Sequence, residues 1–395
     1  MKTEPQDIPS TPLRSGYTTG ACATAAAKGA ALMLTHQTTV REVSITLPGG
    51  GLATFFLHGQ LYTADEARCY VVKDAGDDPD VTNGAEVHAS VRRVPETSPG
   101  SVGTIVIEGG KGIGRVTKPG LAIPPGEWAI NPVPRRMIEE AVFSVLSSLN
   151  PHPSTFKIVI SIPDGEERAK KTLNARLGII GGLSILGTTG IVRPISAKAW
   201  TDTIDAALDV AKACGCETVV LSTGRTSEMA AQQWLDNNPP PALLYQERSF
   251  PIPPDKGGLS GVNVPEEAYV MMGDHIAYAL QACQERGFNK PLIACQFAKL
   301  LKIACGHDNT HAAASDLDLA RLLEWAECAK LSQAILDSIS NANTAREIVI
   351  TCSFDPALLE LVFQHAREAI RKHAADVSAH FLVADYSGNC IFNSR

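Results

Sequence analysis

Glycine is the residue a buried strand can least use, because it loses the most backbone entropy on folding and brings no side chain to pack. Residues 177–194, LGIIGGLSILGTTGIVRP, nevertheless set five glycines and three hydroxyl side chains into an otherwise apolar run. Three similar stretches precede it: LRSGYTTGACATAAAKGA (13–30), VKDAGDDPDVTNGAEV (72–87) and IEGGKGIGRVTKPGLAIPPGEWAINPVPRR (107–136). Such density demands turns, or close approach by a ligand or by another backbone, and points to an enzyme with a backbone-lined site.

At 395 residues the chain exceeds one usual hydrophobic core, so two domains are expected. The 44% hydrophobic and 19% charged content is that of a folded globular protein without a long apolar run. The polar, Pro-containing start MKTEPQDIPSTPLRSGY lacks the apolar core of a secretory signal and reads as a flexible arm of a cytoplasmic protein. Ten scattered cysteines fit small reduced core residues, and the single close pair, Cys214 and Cys216, has no second pair at zinc-site spacing. No protein metal site is expected. The net charge of −7 argues against nucleic acid, which demands a basic surface. Many Lys and Arg residues, among them Arg14, Lys73, Lys111, Arg115, Arg193, Lys299 and Lys302, nonetheless fall in or beside the Gly-rich and polar motifs. They read either as solvated surface charges or as a local site for a multiply anionic small molecule.

The organisation changes midway. An Ala-rich helix over 19–34, with Thr18 or Thr19 as N-cap and its first amides open to an anion, is followed by short β patterns at 42–47, 52–57, 69–73, 86–92 and 104–108. A helix at 133–149 and a strand at 157–162 complete a mixed α+β N-terminal domain, 1–190. In 191–395, helix 197–213, strands at 218–222, 268–272 and 291–295, and helices at 274–286 and 297–304 alternate. That rhythm predicts a Rossmann-like three-layer α/β domain with a mostly parallel sheet, binding ligand beyond the strands' carboxyl ends. The loops there are 222–228, 273–275 and 296–302; a Pro-rich stretch at 239–254 reads as a surface excursion or lid, 315–340 as helical, and 380–388 as a closing strand.

No single motif decides the chemistry. The four aspartates Asp74, Asp77, Asp78 and Asp80 do not have EF-hand spacing, and read equally as a self-bonded turn or as a ligand contact. In HDNTH, 307–311, the two histidines would share a face on a helix; without a further ligand they make a weak metal signature, while His311 is a candidate proton acceptor or simply a capping residue. GKGIGRVTKPG and GTTG lack both the P-loop ending and the dinucleotide fingerprint.

Taken in order, LRSGYTTGACATAAAKGA, VKDAGDDPDVTNGAEV, GGKGIGRVTKPGLAIPPGEWAINPVPRRMI, KTLNARLGIIGGLSILGTTGIVRPIS, GDHIAYAL and FAKLLKIACGHDNTHAAASDLDL resemble the CbiD-type cobalt-precorrin-5B (C-1)-methyltransferases of anaerobic cobalamin biosynthesis. The resemblance runs from about 13 to about 320, and 321 to the end carries little that is diagnostic. ACQFAKLLKIA departs from the family's pattern here, with Ala294 and Ala298 in place of glycines, though Lys299 and Lys302 remain. The resemblance implies transfer of a methyl group from S-adenosylmethionine to C-1 of a ring-contracted cobalt tetrapyrrole, cobalt-precorrin-5B, to give cobalt-precorrin-6A. Cobalt then arrives only as part of the substrate, and other enzymes of the pathway become candidate partners.

On this basis the methyl donor is expected in the second domain, at Thr223, Gly224, Arg225, Gly273 and Asp274, with Asp274 toward the ribose hydroxyls. The tetrapyrrole is expected between the domains, with its carboxylates and edges met by Arg14, Thr18, Thr19, Lys73, Thr188, Thr189, Lys299 and Lys302, and with His311 or Asp77 as base. The competing readings are a small-molecule kinase whose Gly-rich loops cradle phosphates, and a non-catalytic corrinoid carrier or scaffold.

Overall fold

A computed structural model describes residues 13–94, 104–147, 155–194, 196–238 and 264–394. The N-terminal arm up to residue 12 and the Pro-rich stretch 239–254 lie outside the described residues. The chain divides into two compact units after Ser196 rather than after 190. The reason is local: residues 191 and 192 form a strand that pairs with Tyr17 and Gly16 of the first unit.

In chain order the first unit contains β1 (Gly16–Tyr17), α1 (Thr19–His36), β2 (Glu42–Thr46), β3 (Leu52–Phe56), β4 (His58–Tyr62), β5 (Glu66–Val72) and β6 (Glu86–Val94). It continues with β7 (Ile105–Gly109), β8 (Arg115–Val116), α2 (Pro132–Leu146), β9 (Thr155–Ser161), α3 (Gly165–Ala169), β10 (Ile179–Ile180) and β11 (Ile191–Val192). Strands β4-β5-β6-β9-β7 make one sheet, antiparallel except between β7 and β9. Strands β5 and β9 alternate buried positions with half-buried or exposed ones, as a sheet with one packed face requires.

What lies on that face is α1. Fourteen of its 18 residues are buried, so it is an internal helix and not an amphipathic surface one. It packs between β5 and β6 on one side and α2 on the other, with the β2-β3 hairpin alongside. Its run of alanines supplies high helix propensity and lets the neighbouring backbones come close. Thr18 caps it, its Oγ1 accepting from the Ala21 amide at 3.2 Å, and Gln37 ends it in the left-handed region with its amide on the Met33 carbonyl.

The second unit runs α4 (Ala197–Ala213), β12 (Val220–Ser222), α5 (Arg225–Asn237), a short 3-10 turn, β13 (Tyr269–Met271), α6 (Ile276–Arg286), β14 (Leu292–Gln296) and α7 (Phe297–Ala304). Then follow α8 (Leu319–Cys328), α9 (Gln333–Asn341), α10 (Ala345–Thr351), α11 (Pro356–Ile370), β15 (His380–Ala384) and β16 (Cys390–Asn393). The sheet order is β13-β12-β14-β15-β16, parallel except for the antiparallel edge strand β16. Val220, Leu292, Ala294 and Leu382 pack under Ala230, Ala231 and Leu235 of α5. Phe381, one residue out of phase with Leu382, points the other way and meets Phe363 of α11 edge-on, with ring centroids 5.6 Å apart. Both faces are therefore covered, which is why β12 is buried at every position.

Several elements differ from the sequence reading. The stretch 222–228 is only partly loop, because α5 already begins at Arg225, and HDNTH is irregular, so His307 and His311 do not share a helical face; the helical reading of 315–340 corresponds to α8 and α9. Among the described residues no helix is long and apolar enough to cross a membrane. Burial pushes the thiols of Cys22, Cys69, Cys283 and Cys295 up to about 12.

The Gly-rich blocks meet backbone on backbone. A Cβ on Gly16 would overlap the main chain of Ala75, and one on Gly182 would overlap that of Gly112. Gly16→Ala should therefore lower unfolding free energy by about 1–3 kcal/mol, the usual range for overpacking. Denaturant unfolding checks this; a variant as stable as wild type would mean the crossing yields easily.

Candidate functional site

Three Gly-rich blocks that are far apart in sequence converge at the N-terminus of α1. The Tyr17 amide donates to the Asp74 carbonyl at 2.8 Å and the Asp77 amide to the Arg14 carbonyl at 2.9 Å. On the other side, the Thr18 amide donates to Gly190 and the Gly20 amide to Leu186, both at 3.0 Å. Thr19 Oγ1 accepts from the Leu186 amide at 3.0 Å, and Gly187 lies against the Thr18 side chain. The amides of Gly20 and Ala21 are thus taken by Leu186 and Thr18, so the start of α1 is a structural junction where an open anion site was expected.

The Asp-rich loop is tied down the same way. Arg14 meets Asp74 with two parallel hydrogen bonds, at 2.5 and 2.9 Å, and its amide donates to Asp77 at 2.6 Å. The Arg14 bond and the Gly76 amide hold the Asp74 carboxyl down at about 2. Lys73 is buried and donates to Asp80 at 2.6 Å, while Asp80 also accepts from the Thr82 amide and hydroxyl. Burial alone would raise the Asp80 carboxyl, but these bonds outweigh it and the net direction is down. Arg168 closes the loop from below, donating to the Val81 and Asn83 carbonyls.

In the second unit the carboxyl ends of β12, β13 and β14 carry the expected loops. Asp274 follows β13; its Oδ1 accepts from Lys299 Nζ and, at 2.7 Å, from Thr310 Oγ1. Lys299 and the buried Lys302 both donate to the Thr310 carbonyl, at 2.9 and 3.2 Å. Burial opposes ionisation of Asp274, yet the Lys299 and Thr310 bonds and the nearby His311 leave its carboxyl below the usual range. Lys302 moves down too, through burial and then the like charge of Lys299. Thr310, wholly buried, is the node of this cluster, and a lone threonine between two histidines gave no sequence signal for that. His311 is exposed, and its Nδ1 accepts from the Ala313 amide at 3.2 Å. Thr223 follows β12, Gly224 caps α5 in an extended conformation, Arg225 is exposed in the first turn, and Gly273 is left-handed beside Trp200.

The two regions together hold every residue singled out from the sequence, but not in one kind of environment. Arg14, Lys73, Lys299 and Lys302 are all satisfied internally, whereas Thr188 and Thr189 are exposed. A different set of cations lies where the sequence places few carboxylates. The stretches 107–136 and 176–194 hold Lys111, Arg115, Lys118, Arg135, Arg136, Arg176 and Arg193 against only Glu108 and Glu127, in a chain where acids outnumber bases. Glu108 is already paired with Lys157 at 2.8 Å. Sequence reasoning noticed Arg115 and Arg193 but did not rank them.

Fold and sites thus define a mixed α/β protein of two compact units, each presenting a motif-bearing loop cluster. The chain belongs to the CbiD family. The CbiD family model matches residues 6–194, and that for the CbiD C-terminal domain matches 309–395, a region in which the sequence offered little that was diagnostic. The cobalt-precorrin-5B C(1)-methyltransferase of Pelobacter propionicus is 60% identical over 98% of this chain and 97% of its own length. The enzymes of that name from Geobacter sulfurreducens and Priestia megaterium are 54% identical over 96% of this chain and 98% of theirs, and 38% identical over 98% and 99%. Among solved structures, the cobalamin biosynthesis protein (cbiD) of Archaeoglobus fulgidus is 26% identical, covering 73% of this chain and 78% of that one, with a TM-score of 0.36.

The Asp74 pair sets a pH window. Its folded-state carboxyl, at about 2, lies below the ordinary aspartate value of 3.8, so the stabilisation it gives is complete above the higher value and fades as the pH falls toward the lower. Asp74→Asn should be less stable than wild type at neutral pH and converge with it near pH 2. Unfolding curves taken across that range check this, and a gap that persists unchanged at the acid end would remove the carboxylate as its cause.

Proposed function

We propose that this chain transfers a methyl group from S-adenosylmethionine to C-1 of cobalt-precorrin-5B, giving cobalt-precorrin-6A on the anaerobic route to cobalamin. The observation that carries this reading is the 60% identity to an enzyme of that name across 98% of the chain. Ten cysteines scattered along the chain without the spacing of a disulfide framework fit a reducing, cytoplasmic compartment.

We read the second unit as a Rossmann-like domain that holds the methyl donor. Its strand order reverses at β12, since β13 lies on one side of that strand and β14 on the other. In parallel sheets, ligands bind outside the carboxyl ends of the strands at such a reversal. The residues fit the donor. Asp274 is ionised, a quarter exposed, and commits only Oδ1 among the described residues, which leaves Oδ2 for a ribose hydroxyl. Where a Cβ on Gly224 would stand there is open space, and Arg225 beside it offers a cation to the donor's carboxylate.

When bound, the donor supplies a methyl group on an electrophilic sulfonium. The protein's part is alignment of two bound partners for in-line displacement, for which no covalent nucleophile is needed. Of the two base candidates, His311 uses Nδ1 to accept from Ala313, so its neutral ring carries the proton on Nε2 and donates there. Asp77 keeps one carboxylate oxygen without a partner among the described residues and is the better acceptor.

Incubation with both substrates should yield a product heavier by one methyl group, seen by mass spectrometry and absent when either is omitted. Isotope-labelled NMR placing that methyl elsewhere than C-1 would reject the regiochemistry. Asp274→Asn, which keeps acceptor geometry but not charge, should weaken S-adenosylmethionine binding by about 1.5–3 kcal/mol in calorimetry. Unchanged affinity in a folded variant would take Asp274 out of the donor site.

A further inference from the structure

We propose that Arg115, Ile180 and Trp128 form the contact by which the first unit takes the carboxylate-bearing edge of the tetrapyrrole, a proposal that rests on the methyltransferase reading above. The pairing of β8 with β10 sets Ile180 directly opposite Arg115, and an isolated bridge sets Trp128 opposite Arg115 on its other side. Residues opposed in this way project to the same face, so the three side chains form a row across three segments. The Arg115 guanidinium lies 4.0 Å from the Trp128 ring centroid and donates to the Gly126 carbonyl at 2.6 Å.

The arrangement is that of a receptor and not of a satisfied surface pair. Stacking and the Gly126 bond hold the guanidinium in place but use only one of its terminal nitrogens, so the other nitrogens can meet a carboxylate through two parallel bonds. Among the described residues Arg115 has no carboxylate partner, in contrast to Arg14, Lys73 and Lys299. Ile180 beside it is 51% exposed, an apolar side chain held in water at the cation's edge. Open space flanks the row, since a Cβ on Gly126 or Gly181 would meet no atom within 4 Å. A broad apolar ring system with carboxylates on its periphery matches this in both respects. The ring lies on Ile180, and a carboxylate reaches the Arg115 guanidinium that Trp128 holds in place. The ribbon that carries Ile180 continues to the exposed Thr188, Thr189 and Arg193, which extends the same chemistry toward further carboxylates.

The test is binding of cobalt-precorrin-5B without methyl donor, followed by quenching of tryptophan fluorescence, with S-adenosylhomocysteine titrated separately. Arg115→Gln should weaken tetrapyrrole binding about ten- to hundredfold, as expected for a lost charge-assisted contact, and should flatten the salt dependence seen in wild type. S-adenosylhomocysteine affinity should not change, and Arg115→Lys should recover part of the loss. Ile180→Glu offers the guanidinium an internal carboxylate and should cause a similar loss without lowering the thermal midpoint. If both variants bind the tetrapyrrole as wild type does, the row is not the contact and the methyltransferase reading stands. If wild type binds no cobalt-precorrin-5B, that reading fails and the proposal with it.

Discussion

Everything in the first unit depends on burying a helix that has almost no side chains. An alanine contributes little apolar area, so α1 cannot be held by one greasy stripe and must be enclosed on every side. Enclosure brings backbones to within contact, which only small residues tolerate. Because the helix is internal, the loops that reach its N-terminus must also be packed there, and their polar main-chain groups must find partners in one another. The junction of Arg14–Gly20 with Asp74–Asp77 and Leu186–Gly190 satisfies that demand. The most glycine-rich parts of the sequence are thus first a solution to main-chain packing, and the exposed rims of those same loops are what remains for a ligand.

Charge is distributed by the same logic. In the Asp-rich loop, carboxylates outnumber the cations that reach them, and each reaching cation is consumed: Arg14 by Asp74 and Lys73 by Asp80. In the segment that runs from Lys111 to Arg136 and again from Arg176 to Arg193 the balance is reversed, and carbonyls or a ring take the place of carboxylates around Arg115. An acidic chain can therefore present a local positive edge without a basic overall surface.

Legibility in the sequence followed how local the determining physics is. The boundaries of α4 and α7 could be read from composition and periodicity, and the parallel strands from short apolar runs between helices. Helix α5 was mistaken for loop at its start because Gly224 and the hydroxyls around it look like a turn, while its apolar contacts, Ala230, Ala231 and Leu235, come after that start. The site suffered more. Nothing local shows that Lys73 and Lys302 are buried, or that Asp80 and the Thr310 carbonyl are their partners. Arg115 went unranked for the converse reason: its standing comes from lying opposite Ile180, 65 residues away in sequence, and Trp128, and no window of sequence contains that row.

The cluster around Thr310 brings two ammonium groups to one carbonyl, with Asp274 bonded to Lys299 and the charges of Asp274 and Asp316 both acting on Lys302. Lys302 carries the cost, its ammonium disfavoured first by burial and then by Lys299. Ionised Asp274 is what holds Lys299 against the Thr310 carbonyl, so the cluster keeps this arrangement only while that carboxyl stays charged, which the Lys299 and Thr310 bonds favour.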